Sequence, residues 1–376
     1  MKKIVFIIIE RTTGGFTSAL SSLYDIIKTD YDIQVVELTS CGHTPVSYDS
    51  VCIKPSFLCD GYYSDFTASN GFRKFRALIA RIWAKMVNNP VERLINNYQR
   101  IFDEADCIIA YSEGKATRFV REIDHPNKVA WIHFDITHYP YDEDLCKILS
   151  TFNQVVCVAD AIASNMKQIY PSLANKIVGI HNFIDADRIL YLSKHSISEH
   201  FDNCFNIISL GRIVPLKRFS TIPSIALYLK KNGLSFKWRI LGPATDISEK
   251  NKLITEIKEK NLEDVVEWLG AKDNPYPYIA KSDILVCTSE TEACPMIFTE
   301  ARVLNTVIVS TDFPSSYEFI EDNNDGIISP FESLQERLLQ ICTDTSLCNR
   351  LMQASKNRGN GTIESLNRFL RIVNSI

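Results

Sequence analysis

The chain has 376 residues, of which 45% are hydrophobic and 23% charged, with a formal net charge of −4. At roughly 150 residues per domain this length suggests about two domains. The balance excludes a mostly disordered or collagen-like chain, and the lack of a basic excess removes the global field that steers nucleic-acid binders.

Lys2-Lys3 is followed by the apolar run Ile4–Ile9, which ends at Glu10. A secretory core needs about 7–15 apolar residues and a small-residue cleavage site, so this run reads as a first strand. No run approaches the ~18–20 apolar residues of a membrane span. Further runs rich in β-branched residues read as buried strands: Ile33–Leu38, Cys107–Tyr111, Val129–His133, Val155–Val158 and Ile177–Ile180. In the second half the same reading covers Asn206–Leu210, Trp238–Leu241, Val265–Leu269, Ile284–Cys287 and Val307–Ser310. Continuous rather than alternating hydrophobicity suits parallel strands covered on both faces. Helical stretches lie between them, at Ser18–Lys28, Arg218–Lys231, Glu249–Lys260 and Phe298–Leu304. The repeated order predicts an α/β chain with two Rossmann-like, doubly wound domains. The expected spans are 1–185, 186–358 and a C-terminal helix at 359–376 crossing back to the first domain. Eleven cysteines are scattered without a C-x-x-C pair. Spacing therefore signals neither zinc nor a disulfide framework, and a reduced cytoplasmic setting is expected.

Four segments carry candidate chemistry. The first strand-to-helix turn contains Gly14-Gly15, where backbone can approach a ligand and a helix start offers free N–H groups. It is not G-x-G-x-x-G, and a plain tight turn is the alternative. Gly211-Arg212 and Lys217 follow a strand, at the edge where open α/β sheets bind ligands. An Arg fork and a Lys charge across one turn suit a diphosphate; a solvated basic loop is the alternative. After Ile284–Cys287, Glu292 falls in a loop and Glu300 in the next helix, with Pro295 at its start. The N–H groups of Cys294, Met296 and Ile297 suit phosphate, and the carboxylates suit sugar hydroxyls. The competing reading is surface acids beside a helix dipole. Val129–Asp135 ends in His133, aimed at donor sugar or acceptor, or else a structural cap; Asp135 is a candidate to orient the acceptor. Asp142-Glu143-Asp144 has D-x-D spacing but follows no strand, and reads as a solvated acidic turn.

Together these residues resemble retaining GT-B glycosyltransferases of the family 4 type, the glycosyl transferases group 1. Glu292 and Glu300 resemble its E-x7-E motif, and Gly211-Arg212 with Lys217 its G-R-x4-K element. Asn182–Asp185 resembles its interdomain segment, Leu269-Gly270 its nucleotide loop, and Pro314–Ile320 with Asp325-Gly326 its G-G-x-x-E and N-G stretch. The resemblance implies two domains facing a central cleft. It implies that Arg212 and Lys217 hold the donor diphosphate, Glu300 the ribose and Glu292 the transferred sugar. Gly14 and Gly15 would approach the donor from the other domain, with Gly270 beside the nucleotide and His133 near the sugar. It further implies a nucleotide-sugar donor, with UDP favoured over GDP, and a glycan acceptor; because Arg212 and Lys217 can neutralise the diphosphate, no metal or other cofactor is expected, and the basic stretch Phe72–Asn89 adds a lipid-linked acceptor to the expectation. Two departures stand out: Ala293 where the family has Gly, and Ser315-Ser316 where it has a glycine pair.

Phe72–Asn89 is acid-free, with Phe72, Phe75, Leu78, Ile79, Ile82, Trp83 and Met86 on one helical face. Arg73, Lys74, Arg76, Arg81 and Lys85 lie opposite or flanking. This is the pattern of an interfacial helix drawn to anionic lipid, or of a helix packed on a sheet with a solvated basic face. The expected location is the cytoplasm, including the inner face of the cell membrane. The leading function is hexosyl transfer in cell-surface polysaccharide synthesis. The alternatives are a nucleotide-sugar epimerase of similar fold, or a non-catalytic nucleotide-sugar-binding partner subunit.

Overall fold

The computed structural model describes residues 1–11, 14–38, 46–53, 90–135, 142–201 and 203–375. Contacts divide the chain into two units, Met1–Phe183 with Thr362–Ile376, and Ile184–Gly361.

In the first unit the strands are β1 (Lys3–Ile8), β2 (Asp32–Glu37), β3 (Ser50–Cys52), β4 (Cys107–Ala110), β5 (Lys128–Ile132), β6 (Gln154–Cys157) and β7 (Ile177–Gly179). They form one parallel sheet in the order β3-β2-β1-β4-β5-β6-β7. Ile4 lies opposite Cys107 on one side and Ile33 on the other. Ile4 to Ile8 are wholly buried, which is why this run carries no polar alternation. The helix Thr362–Ser375 completes this unit. Its Phe369 ring packs 6.1 Å from Trp131 and 6.3 Å from Phe183, and Arg368 donates to Asp160 at 2.8 Å.

The second unit has β8 (Phe205–Leu210), β9 (Phe236–Leu241), β10 (Val266–Gly270), β11 (Ile284–Cys287), β12 (Val307–Thr311) and β13 (Ile327–Ser329). Its parallel order is β10-β9-β8-β11-β12-β13. Trp238 is fully buried in its core. The indole N–H donates to Ser209 Oγ at 3.1 Å, and that hydroxyl donates to the Val286 carbonyl at 2.6 Å. The one polar atom of the ring is thereby satisfied across three strands, as a buried Trp requires. Each sheet reverses its winding at one place, between β1 and β4 and between β8 and β11. Such switch points open a crevice at the carboxyl ends of the strands.

The observed elements differ from the sequence expectation in four instructive places. The three-residue strands β3 and β13 were not expected, because runs so short carry no periodicity. The first helix starts at Gly15, leaving Gly14 alone in the turn at φ 148°. The helix expected from Arg218 starts only at Ile222, after short 3-10 turns at Pro215–Lys217 and Phe219–Thr221. Arg218 itself sits at φ 51°, in the left-handed region, which no helix continues through. Asp142, Glu143 and Asp144 are solvent-exposed as expected, but they start a helix instead of forming a plain turn: the Asp142 carboxylate accepts the N–H groups of Asp144 and Leu145 as the cap of the helix Glu143–Ser150. Among the described residues no helix is long and apolar enough to cross a membrane.

Candidate active site

The second unit gathers its chemistry at the β8–β11 switch point. Gly211 leaves β8 at φ 151° and Gly242 leaves β9 at φ 142°. A Cβ on Gly242 would lie 1.8 Å from the Gly211 carbonyl oxygen, so only glycine lets these strand ends touch. The Gly242 N–H donates to the Gly270 carbonyl at 2.8 Å, tying in the end of β10. A Cβ on Gly211 would meet Lys217 Cε at 3.3 Å, so the glycine also leaves room for that lysine to fold back over the turn. Arg212 is exposed on the same turn and makes no ion pair among the described residues.

Lys217 Nζ forms an ion pair with Glu292 Oε1, joining residues 75 positions apart. The same oxygen accepts Ser289 Oγ at 2.7 Å. Around this pair the two loops are stitched together: Thr288 Oγ1 donates to the Lys217 carbonyl at 2.6 Å, and the Glu290 N–H to the Leu216 carbonyl at 2.8 Å. Ser315 Oγ donates to the Glu292 carbonyl at 2.7 Å, and Thr311 Oγ1 to the Ser289 carbonyl at 2.5 Å. The Lys217 and Glu292 side chains are only 19% and 15% exposed. A pair so shielded interacts more strongly than a free surface salt bridge.

The helix Met296–Val303 follows, with Pro295 at its cap. Met296 is buried, and Cys294 and Ile297 are half-buried at its start. Glu300 lies on its second turn, where Tyr276 donates to its Oε1 at 3.4 Å. Burial of the carboxyl pushes Glu300 up to about 7, although the Tyr276 bond works in the other direction. Gly270 sits at the end of β10 with φ 73°. The second unit thus joins Lys217 directly to Glu292 and sets Glu300 on the following helix. Arg212 and Gly270 lie at the ends of β8 and β10, with β9 between them.

In the first unit, Gly14 and Gly15 are exposed where β1 gives way to the helix Gly15–Ile27. Phe16, just after them, packs 5.0 Å from the His133 ring, and Tyr111 packs 4.8 Å from it. Burial lowers His133 to about 3, so the imidazole is neutral at ordinary pH. Its Nε2 is buried without a hydrogen-bond partner among the described residues. The ring can exchange one hydrogen bond with a sugar hydroxyl but carries no charge. Its backbone N–H donates to Glu113 at 2.9 Å, and burial raises that carboxyl. Asp135 is half-buried two residues beyond. The basic stretch with Arg73, Lys74, Arg76, Arg81, Trp83 and Lys85 lies outside the described residues.

Sequence reasoning missed Tyr276, Ser289, Ser315 and Glu113. Ser315 carried a signal, since it stands where the resembled family has glycine; the others carried none that spacing could show. Asp325 has a structural place here. It is buried, holds Arg358 at 2.8 Å, accepts the Glu321 N–H at 2.7 Å and faces Arg302 at 3.7 Å.

Residues 193–358 match the family described as glycosyl transferases group 1. The match lies wholly within the second unit. The poly(ribitol-phosphate) alpha-N-acetylglucosaminyltransferase of Staphylococcus aureus (strain COL) is 26% identical over 228 residues, covering 54% of this chain and 45% of the relative. The lipopolysaccharide core biosynthesis glycosyltransferase LpsE of Rhizobium meliloti is 26% identical over 212 residues, 56% of this chain and 58% of the relative. The chain thus spans about half the length of these curated relatives. Among solved structures, Anabaena HepE in complex with UDP and glucose superposes with a TM-score of 0.75 at 15% identity, covering 100% of both chains. At that identity the likeness speaks for the fold alone, and the fold is GT-B: two Rossmann-like domains, here with seven- and six-stranded parallel sheets.

Proposed function

We propose that this protein is a retaining glycosyltransferase. It moves a hexose from a nucleotide-sugar, UDP-linked in preference to GDP-linked, to a glycan or glycolipid acceptor of a cell-surface polysaccharide. The observation that carries this is the meeting of Lys217 and Glu292 at the β8–β11 switch point, with Glu300 on the next helix. One cation and two carboxylates on the carboxyl edge of a parallel sheet divide a nucleotide-sugar between them. Lys217 and Arg212 take the diphosphate, Glu300 the ribose and Glu292 the hexose hydroxyls.

The chemistry follows from where charge develops. As the bond between the anomeric carbon and the phosphate oxygen breaks, positive charge grows on the sugar and negative charge on the nucleotide. Lys217 and Arg212 offer preorganised cations to the leaving diphosphate, which lowers that barrier without a metal. The ammonium has three donors, so it can keep Glu292 while donating to a phosphate oxygen. The acceptor hydroxyl oxygen bonds to the anomeric carbon from the face the phosphate leaves, and its proton passes to the departing phosphate oxygen. His133, neutral and with no Nε2 partner among the described residues, is suited to hold a sugar hydroxyl rather than to move a proton.

The names of the relatives support this reading. The Staphylococcus aureus protein is named for transfer of N-acetylglucosamine to poly(ribitol-phosphate), and the Rhizobium meliloti protein for lipopolysaccharide core biosynthesis. The HepE structure carries UDP and glucose. A place at the inner membrane face rests on the basic stretch Phe72–Asn89 and on lipid-linked acceptors being presented there.

The test is a thermal-shift panel of UDP-, GDP-, CDP- and ADP-sugars, since a ligand that binds only the folded state raises its melting temperature. The best donor is then supplied with lipid-linked and soluble glycans, and the anomeric configuration of the product is read by NMR. A stabilising donor and an acceptor-dependent product of retained configuration are expected. No stabilisation by any sugar nucleotide would sink the proposal, and isomerisation of donor without acceptor would point to an epimerase.

A further inference from the structure

Tyr276, like Ser289, is a residue of this region that neither spacing nor resemblance singles out. It begins the helix Tyr276–Ala280, downstream of β10, and its N–H donates to Asn274 Oδ1 at 3.2 Å. That anchor sets the ring at the Met296–Val303 helix, where its hydroxyl reaches Glu300 Oε1 at 3.4 Å. This is long for an O–H···O bond, so it has room to shorten once the carboxylate is charged and occupied. Burial raises the Tyr276 phenol, which keeps it a donor throughout the working pH range. The charged groups that face Tyr276, besides Glu300, are Asp185 and Arg188 at the start of the helix Ala186–Leu192. Asp185 is occupied as a cap, accepting the Arg188 N–H at 2.9 Å. For Glu300 itself, Tyr276 is the side chain that opposes the cost of burying its charge.

We infer that Tyr276 is a positioning residue whose hydroxyl holds the Glu300 carboxylate charged and turned toward the ribose of the donor nucleotide. This deepens the proposed function and rests on Glu300 being the ribose contact. A carboxylate has about four lone-pair sites. Tyr276 occupies one on Oε1, which fixes the rotation of the carboxyl group and leaves the others for two ribose hydroxyls. Without the hydroxyl, the buried carboxyl keeps its proton more firmly. It must then give up that proton, or offer a weaker acceptor, before ribose binds.

The experiment is isothermal titration of UDP and 2′,3′-dideoxy-UDP into wild type, Y276F, E300Q and the double variant between pH 5.5 and 8.5, with GDP and its dideoxy form in parallel. In wild type, the ratio of ribonucleotide to dideoxy affinity should rise with pH and level off above neutrality; the terminal phosphate titrates alike in both forms and cancels in the ratio. Y276F should bind the ribonucleotide about tenfold more weakly at pH 7, with the midpoint moved up by about one pH unit. Its dideoxy affinity should be unchanged, and in the E300Q background Y276F should do nothing. A purely structural tyrosine would weaken both nucleotides alike and leave the midpoint in place. Should Y276F not fold, 3-fluorotyrosine at position 276 keeps the shape and strengthens the donor, and should move the midpoint down. If wild type binds nucleotide yet does not favour ribose, Glu300 is not the ribose contact and the inference falls with that assignment. If wild type favours ribose and Y276F does so equally with an unmoved midpoint, Tyr276 alone is discarded.

Discussion

Glu300→Gln is the substitution whose effect on stability the structure specifies most fully. In the folded protein burial lifts this carboxyl from an ordinary 4.5 to about 7. An acid raised on folding favours the state that keeps the proton. Below its unfolded value both states are protonated and the residue costs nothing extra. As pH rises from about 4.5 to about 7 the unfolded chain releases its proton first, so stability falls through that window and then levels off. The full swing is at most about 3 kcal/mol, taking about 1.4 kcal/mol per pKa unit. A unit of this size moves its melting temperature by roughly 2–4 °C per kcal/mol, so the swing corresponds to about 6–12 °C. Glutamine has nearly the same shape and no charge to bury, so E300Q should match wild type only near pH 4 and below, and exceed it progressively from pH 5 toward pH 8. The measurement is calorimetric unfolding of both proteins at pH 5, 6, 7 and 8 at fixed ionic strength. Taking the difference at each pH cancels the titrations the two proteins share. A gap that stays constant across this range would refute the argument that burial of Glu300 is what raises it.

Three further outcomes follow from the same geometry. Lys217→Ala and Glu292→Ala should each lower sugar transfer by about 10²–10³, the usual loss for one preorganised contact, measured as kcat/KM with saturating acceptor; turnover like wild type in both would discard their roles. Gly242→Ala places a methyl 1.8 Å from the Gly211 carbonyl oxygen, whereas Gly270→Ala at φ 73° meets nothing within 4 Å. The first should cost on the order of 3 kcal/mol or more and the second about 1 kcal/mol, as read by urea unfolding; equal losses would contradict the backbone contact between β8 and β9. Asp325→Ala strips the partner from Arg302, which is 6% exposed, and from Arg358. It should cost about 3–5 kcal/mol of stability, with donor affinity per folded molecule unchanged.

Much of this molecule was legible in one dimension. Continuous apolar runs such as Ile4–Ile8 and Ile284–Cys287 can satisfy themselves only as parallel strands buried on both faces, so the α/β class followed from hydrophobic pattern alone. Glu292, Glu300, Arg212 and Lys217 could be singled out as candidates because their residue types and order are local properties of the chain. Pattern failed wherever the deciding contact was distant in sequence or too brief to repeat. β3 and β13 have three residues each, and the break before Ile222 depends on Arg218 adopting the left-handed region. What only the folded chain decided was partnership. Lys217 reaches Glu292 because Gly211 has no side chain and Thr288 and Glu290 stitch their loops together. Tyr276 meets Glu300 across two helices, and His133 loses its charge in an aromatic box drawn from three separate segments. Desolvation and hydrogen bonding act through space, and a charge or a proton affinity set by them has no counterpart in residue spacing.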